Sequence, residues 1–322
     1  MRARLYFLGL LLGNLLWSAH PIMGKILLRV FTPAEAAWLR YGSAWVAFAV
    51  GFLAVKAWRR GRAPKLPEAD LAAPRPAAAR PVSGVDVALL ALIGLLNFCL
   101  APWLQLSGLA VSHASDNALI VAMEPLITVG LAWVFLRDPL SPQDRAGFAL
   151  ALFGFCVLSG PTAMADSVQG SLRFFGNFAL LLSMFGESTF SVGSAKLVSR
   201  RREPAWIFGI ALTVGFFALT LVLLATGRLD VSTLAARIGR DQVIALLWLG
   251  PVGTTASYLF WIHALRYLNV ASVALSLFIQ PVFGTILAAV FLSEPIGSFK
   301  LIGGALILAA LALSAFQPRA ER

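Results

Sequence analysis

LAVSHASDNALIVAMEPLITVGLAWVFLRDPLSPQDRAGFALALFGFCVL, running from Leu109 to Leu158, occurs twice in this chain in diverged form. At a constant offset and without a gap it returns as LRYLNVASVALSLFIQPVFGTILAAVFLSEPIGSFKLIGGALILAALALS, from Leu265 to Ser314. The offset pairs Ala118 with Ala274, Pro125 with Pro281, Leu131 with Leu287, Phe135 with Phe291, Pro139 with Pro295 and Gly147 with Gly303. It also sets Asp138 against Glu294. A shared richness in Ala and Leu does not align prolines, a glycine and an acid, so the two stretches are copies of one structural unit.

The solvent of that unit is lipid. Of 322 residues 59% are hydrophobic and 13% are charged, whereas a soluble domain carries roughly 25% charged residues. Apolar runs of about 20 residues recur along the chain, a length that suits spanning helices rather than barrel strands. The reading is an all-α membrane protein with ten spans, at roughly 5–28, 34–55, 85–107, 114–136, 145–160, 174–198, 205–226, 242–264, 271–292 and 299–316. The first run lacks a small-residue cleavage site and reads as a helix rather than a removed signal. Residues 56–84, rich in Pro, Ala and Arg, read as a flexible cytoplasmic linker. Two units follow, 5–160 and 174–316.

The net charge of +11 would suggest nucleic acid in a soluble protein. Here basic residues in loops orient the chain, and no nucleic-acid partner is expected. With the N-terminus in the cytoplasm, cytoplasmic segments hold 17 Lys/Arg and the opposite side six. Both termini are therefore expected inside. Each unit makes an odd number of crossings, so the second enters from the opposite side and the ten helices form two inverted five-helix repeats. In such architectures the substrate site lies near the midplane, between the repeats. A fainter echo matches Lys25 with Lys196 and Pro33 with Pro204.

These residues resemble a known family. Trp17, Lys25, Pro33 and Arg40 are similar to the start of an EamA-type repeat of the drug/metabolite transporter superfamily. The segment Ala118 to Pro125, the Phe135-Leu136-Arg137-Asp138 run and Gly147 resemble its end. Ala274, Pro281, Phe291-Leu292-Ser293-Glu294 and Gly303 repeat that end. Asp138, where the family more often has Glu, and Ser188, where the resemblance allows a tryptophan in the second repeat, depart from the pattern. The resemblance covers nearly the whole chain and implies a ten-helix carrier with a central cavity, among whose relatives are exporters of amino acids and related metabolites.

Ionisable groups inside a span cost about 2.5–3.5 kcal/mol at a helix centre. Glu124 and Glu187 are the most central. Each reads as a proton or cation relay, as a site for a substrate amine, or as a protonated carboxyl bonded to a neighbouring helix. Glu124 precedes Pro125, and its repeat mate Gln280 precedes Pro281. A mid-span proline lacks an N–H and kinks the helix, so both halves combine a kink with a polar side chain. Packing alone would also explain the prolines.

His20 lies near Trp17 on one face and reads either as a donor to a carboxylate substrate or as a satisfied core histidine. Asn97, Thr254 and Tyr258 are candidates to line an apolar cavity with a few polar groups. Trp103 and Trp261 fit an interfacial belt. Arg40 reads as one member of a structural pair or as a gating residue. Lys25 fits snorkelling to the headgroups, Asp138 and Glu294 fit loop-facing structural or gating groups, and Ser115 and Asp116 read as helix caps.

Phosphate-binding GxxxxGK, HExxH and Cys/His metal spacings are absent from the sequence, and Cys99 and Cys156 lie in apolar runs. No cofactor or metal is expected. The expected activity is secondary transport by alternating access: export of amino acids or similar metabolites across a bacterial inner membrane, with protons as candidate coupling ions. The competing readings are an intramembrane enzyme on lipid-linked substrates and a non-transporting membrane subunit.

Overall fold

A computed structural model of the chain describes residues 2–61, 82–136, 142–163, 168–199, 202–264 and 279–315. Among the described residues every regular element is a helix. Lipid offers the backbone no hydrogen bonds, so a spanning segment must satisfy its own N–H and C=O groups, and a helix does so within one chain segment.

The first apolar run is two helices, not one. The helix α1 (Arg2–Trp17) stops and α2 (His20–Leu28) begins after a turn at Ser18–Ala19. Asn14 donates to the Leu10 carbonyl at 2.9 Å and Ser18 Oγ to the Asn14 carbonyl at 3.0 Å. Pro21, without an N–H, sits in the first turn of α2. The next helix, α3 (Pro33–Gly61), opens with a capping box in which Thr32 N–H meets Glu35 at 2.8 Å. It continues six residues into the expected linker 56–84; residues 62–81 lie outside the described residues. Ser83 and Asp86 form a second capping box at the start of α4 (Gly84–Leu95). Wide, π-type turns at Leu96–Leu100 then lead without interruption into α5 (Ala101–Val111).

The fourth expected span is likewise broken. The helices α6 (Ala114–Val121) and α7 (Glu124–Leu136) bend by 41° at Ala122–Met123, directly before Pro125. The first half ends with α8 (Pro142–Ala163). The second half begins with α9 (Val168–Ser199) and α10 (Pro204–Ala225). A short α11 (Val231–Ala236), not foreseen in the sequence, precedes α12 (Arg240–Leu247). Wide turns at Trp248–Ala256 join α12 to α13 (Ser257–Ala264). The last helices are α14 (Ile279–Leu292) and α15 (Ser298–Ala315). Asp138, Pro139, Ala274 and the rest of 271–278 lie outside the described residues. Four helices, Pro33–Trp58, Gly84–Val111, Pro204–Ala225 and Arg240–Ala264, are individually long and apolar enough to cross a membrane, and the bent α6–α7 pair makes a fifth. Apart from the Ser18–Ala19 turn, the remaining expected spans are helical where they are described.

The strongest packing joins one half to the other and obeys an exchange rule. Contact of α5 with α9 has its counterpart in α13 with α1, and α4 with α10 in the 248–256 segment with α3. Contact of α7 with α9 is matched by α14 with α1. The pair α8–α15 maps onto itself. Such self-consistency is what a pseudo-twofold axis between duplicated units produces. The outer surface carries Phe153, Phe175, Phe178, Leu182, Leu221, Ile286 and Val290, all exposed. Lipid is the solvent that tolerates such a surface.

The axial pair α8–α15 meets at glycines. A Cβ on Gly303 would lie 2.7 Å from the Leu158 nitrogen and 2.8 Å from the Gly154 oxygen, both backbone atoms that cannot step aside. Gly303→Ala is expected to destabilise the protein by about 1–3 kcal/mol through overpacking. Gly51→Ala, with nothing within 4 Å of its would-be Cβ, is expected to be neutral or stabilising by up to ~1 kcal/mol. Thermal unfolding of the two purified variants checks both signs.

Candidate functional site

The breaks and wide turns converge on one cavity. Trp17, Ser18, His20 and Pro21 line it from the α1–α2 break, Arg40 from α3 and Gln105 from α5. Asn117, Ala118, Val121 and Glu124 line it from the α6–α7 break. The second half supplies Glu187, Phe190, Ser191, Tyr258, Trp261 and Gln280. The space between atoms there is about 700 Å³, open solvent at its mouth included. Of the residues expected to carry chemistry, Trp17, His20, Arg40, Glu124, Glu187, Tyr258 and Gln280 are on this wall, while Asn97, Thr254, Pro125 and Pro281 are behind it. Pro281 is buried in the first turn of α14, at the edge of the described residues.

Arg40 is 5% exposed. Its Nε donates to Thr254 Oγ1, its Nη1 to Gln105 Oε1 and its Nη2 to His20 Nδ1, each at 3.4 Å. A guanidinium only donates, so His20 Nδ1 accepts and the neutral ring keeps its proton on Nε2. The ring nitrogen Nε2 has no hydrogen-bond partner among the described residues and presses against Gly253, whose missing side chain makes the room. Gln105 in turn donates from Nε2 to Glu187 Oε1 at 3.0 Å. Its amide thus stands between the guanidinium and a carboxylate. The Glu124 carboxyl has no hydrogen bond or ion pair among the described residues; the Ser188 hydroxyl meets the Glu124 main-chain oxygen at 3.3 Å. Gln280 donates to Asn14 Oδ1 at 2.5 Å and so joins α14 to α1.

Aromatic rings form the rest of the wall. Tyr258 packs on Phe190 at 4.9 Å, on Phe98 and Trp17 at 5.4 Å, and on Phe208 at 5.9 Å between centroids. Trp17 also meets Trp261 at 5.9 Å and donates its indole N–H to the Gly253 carbonyl. Trp261 is therefore part of the cavity, not of an interfacial belt. Asn97, wholly buried in the 96–100 turns, reaches the Tyr258 hydroxyl at 3.5 Å. In the matching turns of the second half, Thr254 Oγ1 donates to the Leu249 carbonyl at 2.7 Å and Ser257 Oγ to the Val252 carbonyl at 3.1 Å. Both bonds reach back five residues and serve carbonyls that a widened helix leaves underused.

A second polar cluster ties the halves together at one end of the bundle. Asp116, fully buried, accepts from Arg173 Nε and Nη2 at 2.8 and 2.7 Å and pairs with Lys300 at 3.3 Å. Glu294 takes the N–H groups of Ala114 and Ser115 at 2.7 and 3.0 Å, and the Ser115 hydroxyl donates to it as well. Ser115 and Asp116 are therefore not caps: Glu294, from the other half, covers the α6 N-terminus. Lys25 does not snorkel but donates to the Ser112 carbonyl at 2.5 Å. At the opposite end Arg202 pairs with Asp86 at 2.6 Å, again across the halves. Among the described residues, no group of three or more His, Cys, Asp or Glu gathers in ion-binding range.

An apolar-faced helical bundle built from two exchangeable halves around a cavity is an architecture that recurs among membrane transporters. The chain belongs to the EamA-like transporter family, which it matches over residues 4–160 and 174–316. An "Uncharacterized transporter" of Archaeoglobus fulgidus is 26% identical over 306 residues, 95% of each chain. An "Uncharacterized transporter" of Methanothermobacter thermautotrophicus is 27% identical over 223 residues, 69% of this chain and 63% of that protein. A "Probable amino-acid metabolite efflux pump" of Escherichia coli is 27% identical over 207 residues, 62% of this chain and 66% of that protein. The chain thus spans somewhat under two thirds of the length of these last two. A solved crystal structure shares the fold, with a TM-score of 0.61 at 20% identity over 96% of this chain and 95% of that one.

Two outcomes are expected at the Asp116 cluster. Asp116→Asn strands buried Lys300 and half-buried Arg173, and is expected to lower stability by about 3–5 kcal/mol, read by thermal unfolding. His113, in the turn before α6, accepts from Lys300 at 3.3 Å. Burial, then the charges of Arg173 and Lys300, hold its imidazole below the ordinary value, against Asp116 and Glu294. A lowered histidine stabilises the folded state above its ordinary value of about 6.5 and loses that contribution as pH falls. Melting temperature is therefore expected to fall more steeply between pH 7.5 and pH 5 in the wild type than in His113→Gln; equal slopes overturn this.

Proposed function

We propose that this protein is a secondary transporter that exports amino acids or related small metabolites by alternating access. On this reading the units 5–160 and 174–316 move against each other around the cavity, in a bacterial inner membrane, with both chain ends in the cytoplasm. The observation that carries the reading is the shared wall: Trp17, His20, Arg40, Gln105 and Glu124 from one half face Glu187, Tyr258, Trp261 and Gln280 from the other. A site split this way changes exposure whenever the halves rock. Clusters that join the halves lie at both ends, Asp116 with Arg173 and Lys300 at one and Asp86 with Arg202 at the other. Alternation requires one to part while the other holds.

The amino-acid class is supported by the Escherichia coli relative's description as a probable amino-acid metabolite efflux pump. The bias of Lys/Arg toward the segments that share a side with the N-terminus supports the orientation. Glu124, free of protein partners among the described residues, is the group best placed to take up and release a proton.

Equilibrium counterflow of radiolabelled L-amino acids in proteoliposomes tests this. Wild-type protein is expected to exchange at least one of them, with a rate that varies between pH 5 and 8. Glu124→Gln is expected to lower that flux by on the order of tenfold, ~1.4 kcal/mol in the rate, and to flatten the pH profile. Unchanged flux at every pH removes the proton role from Glu124. No counterflow of any amino acid overturns the substrate class.

A further inference from the structure

We infer that Arg40 is the anion-binding residue of the cavity: its guanidinium receives a carboxylate of the transported molecule, and Gln105, Thr254 and His20 hold it in position to do so. The inference rests on the transporter reading and deepens it.

Arg40 lies on the cavity wall yet is 95% removed from solvent. A charge in that position needs compensation, because burial of an unpaired ion is among the costliest events in a protein. The protein supplies only part of it: the Tyr41 ring faces the guanidinium carbon at 5.0 Å. Among the described residues no carboxylate lies within ion-pairing range of Arg40. Its three hydrogen bonds go to a hydroxyl, an amide and a neutral imidazole, each at 3.4 Å. A charge-assisted N–H···O bond to a carboxylate runs to about 2.7–2.9 Å. The other deeply buried cations differ: Arg202 reaches Asp86 at 2.6 Å and Lys300 reaches Asp116 at 3.3 Å. Arg40 alone among these three is held by weak neutral contacts.

The arrangement actively prevents a pairing. Glu187 is on the same wall, but the Gln105 amide is interposed, accepting from Arg40 and donating to Glu187. Had the two met directly, each would have been neutralised. Three of the five guanidinium N–H groups are used once each. Among the described residues one hydrogen on Nη1 and one on Nη2 remain unused, enough donors to meet the two oxygens of a planar carboxylate. A singly charged anion fits better than a phosphate, since the wall already carries the carboxyl groups of Glu124 and Glu187.

The test is competition in the counterflow assay, using each exchanged L-amino acid, its amide and its decarboxylated amine as unlabelled competitors, with wild type, Arg40→Gln and Arg40→Lys. In the wild type the carboxylate form is expected to compete at least about tenfold more tightly than the amide, the order expected of a hydrogen bond to a charged group. Arg40→Gln is expected to shrink that ratio to within about twofold, and Arg40→Lys, a point charge without the fork, to give an intermediate ratio. A wild-type ratio near one overturns the inference whatever the variants do, which covers an Arg40→Gln that fails to fold. An unchanged ratio in folded Arg40→Gln also overturns it while leaving the transporter reading intact. Should no amino acid exchange, thermal shifts of purified protein with the same three compound series decide the matter. Stabilisation by carboxylates over amides that disappears in Arg40→Gln keeps the anion site and removes amino-acid transport; its absence removes both.

Discussion

A neutral amide between a buried cation and a half-buried carboxyl group is the interaction on which the polar core depends. Gln105 offers its oxygen to Arg40 and its nitrogen to Glu187, so one side chain of α5 links α3 of the first half to α9 of the second. In a low-dielectric interior a bare ion pair at contact is attractive enough to close on itself. The amide satisfies one acceptor and one donor without letting the charges meet. His20 and Thr254 complete the cradle, and Gly253 leaves the space that His20 needs. Rigid aromatic packing around Tyr258 then keeps the opposite wall in register with this arrangement.

Much of the fold was legible because lipid imposes simple demands. Outside the breaks at Ser18–Ala19 and Ala122–Met123 each expected span is helical where it is described, and the repeat anticipated the exchange rule in the packing. The central carboxylates were legible from their cost: nothing but function or a partner keeps Glu124 and Glu187 at midspan. Neutral polar groups advertise much less. Gln105 and Asn14 carry little penalty, and no spacing marks them as the pieces that connect Arg40 with Glu187 or Gln280 with α1. Ser115 and Asp116 were misread because a local pattern fits a cap, whereas their partners Glu294, Arg173 and Lys300 are distant in sequence. The break at Ser18–Ala19 was obscured by an unbroken apolar run, although Pro21 was a visible cue.

The halves are also less separate than two tandem units suggest. Their most extensive contacts run across the boundary: α8 on α15, α5 on α9, α6 on α14. Backbone meets backbone at Gly154 and Gly303, and again at Gly108 and Gly176. Close contact without side chains gives smooth surfaces on which helices can slide, whereas the ion-paired clusters near the two ends are discrete and directional. Motion of one half against the other is thus cheap along the glycine seams and gated where the charges meet.

The widened turns at Leu96–Leu100 and Trp248–Ala256 act as phase shifters. An extra residue in a helical circuit advances everything beyond it by about 100° of azimuth. The side chains after each insertion therefore point where an ordinary wheel diagram would not place them. Excising one Gly or Thr from 248–256 would restore a regular spiral and swing Tyr258 and Trp261 out of the aromatic wall together, with no hydrophobic residue lost from the composition. Homologous chains that differ by one residue in this stretch should therefore be compared by azimuth rather than by aligned letter.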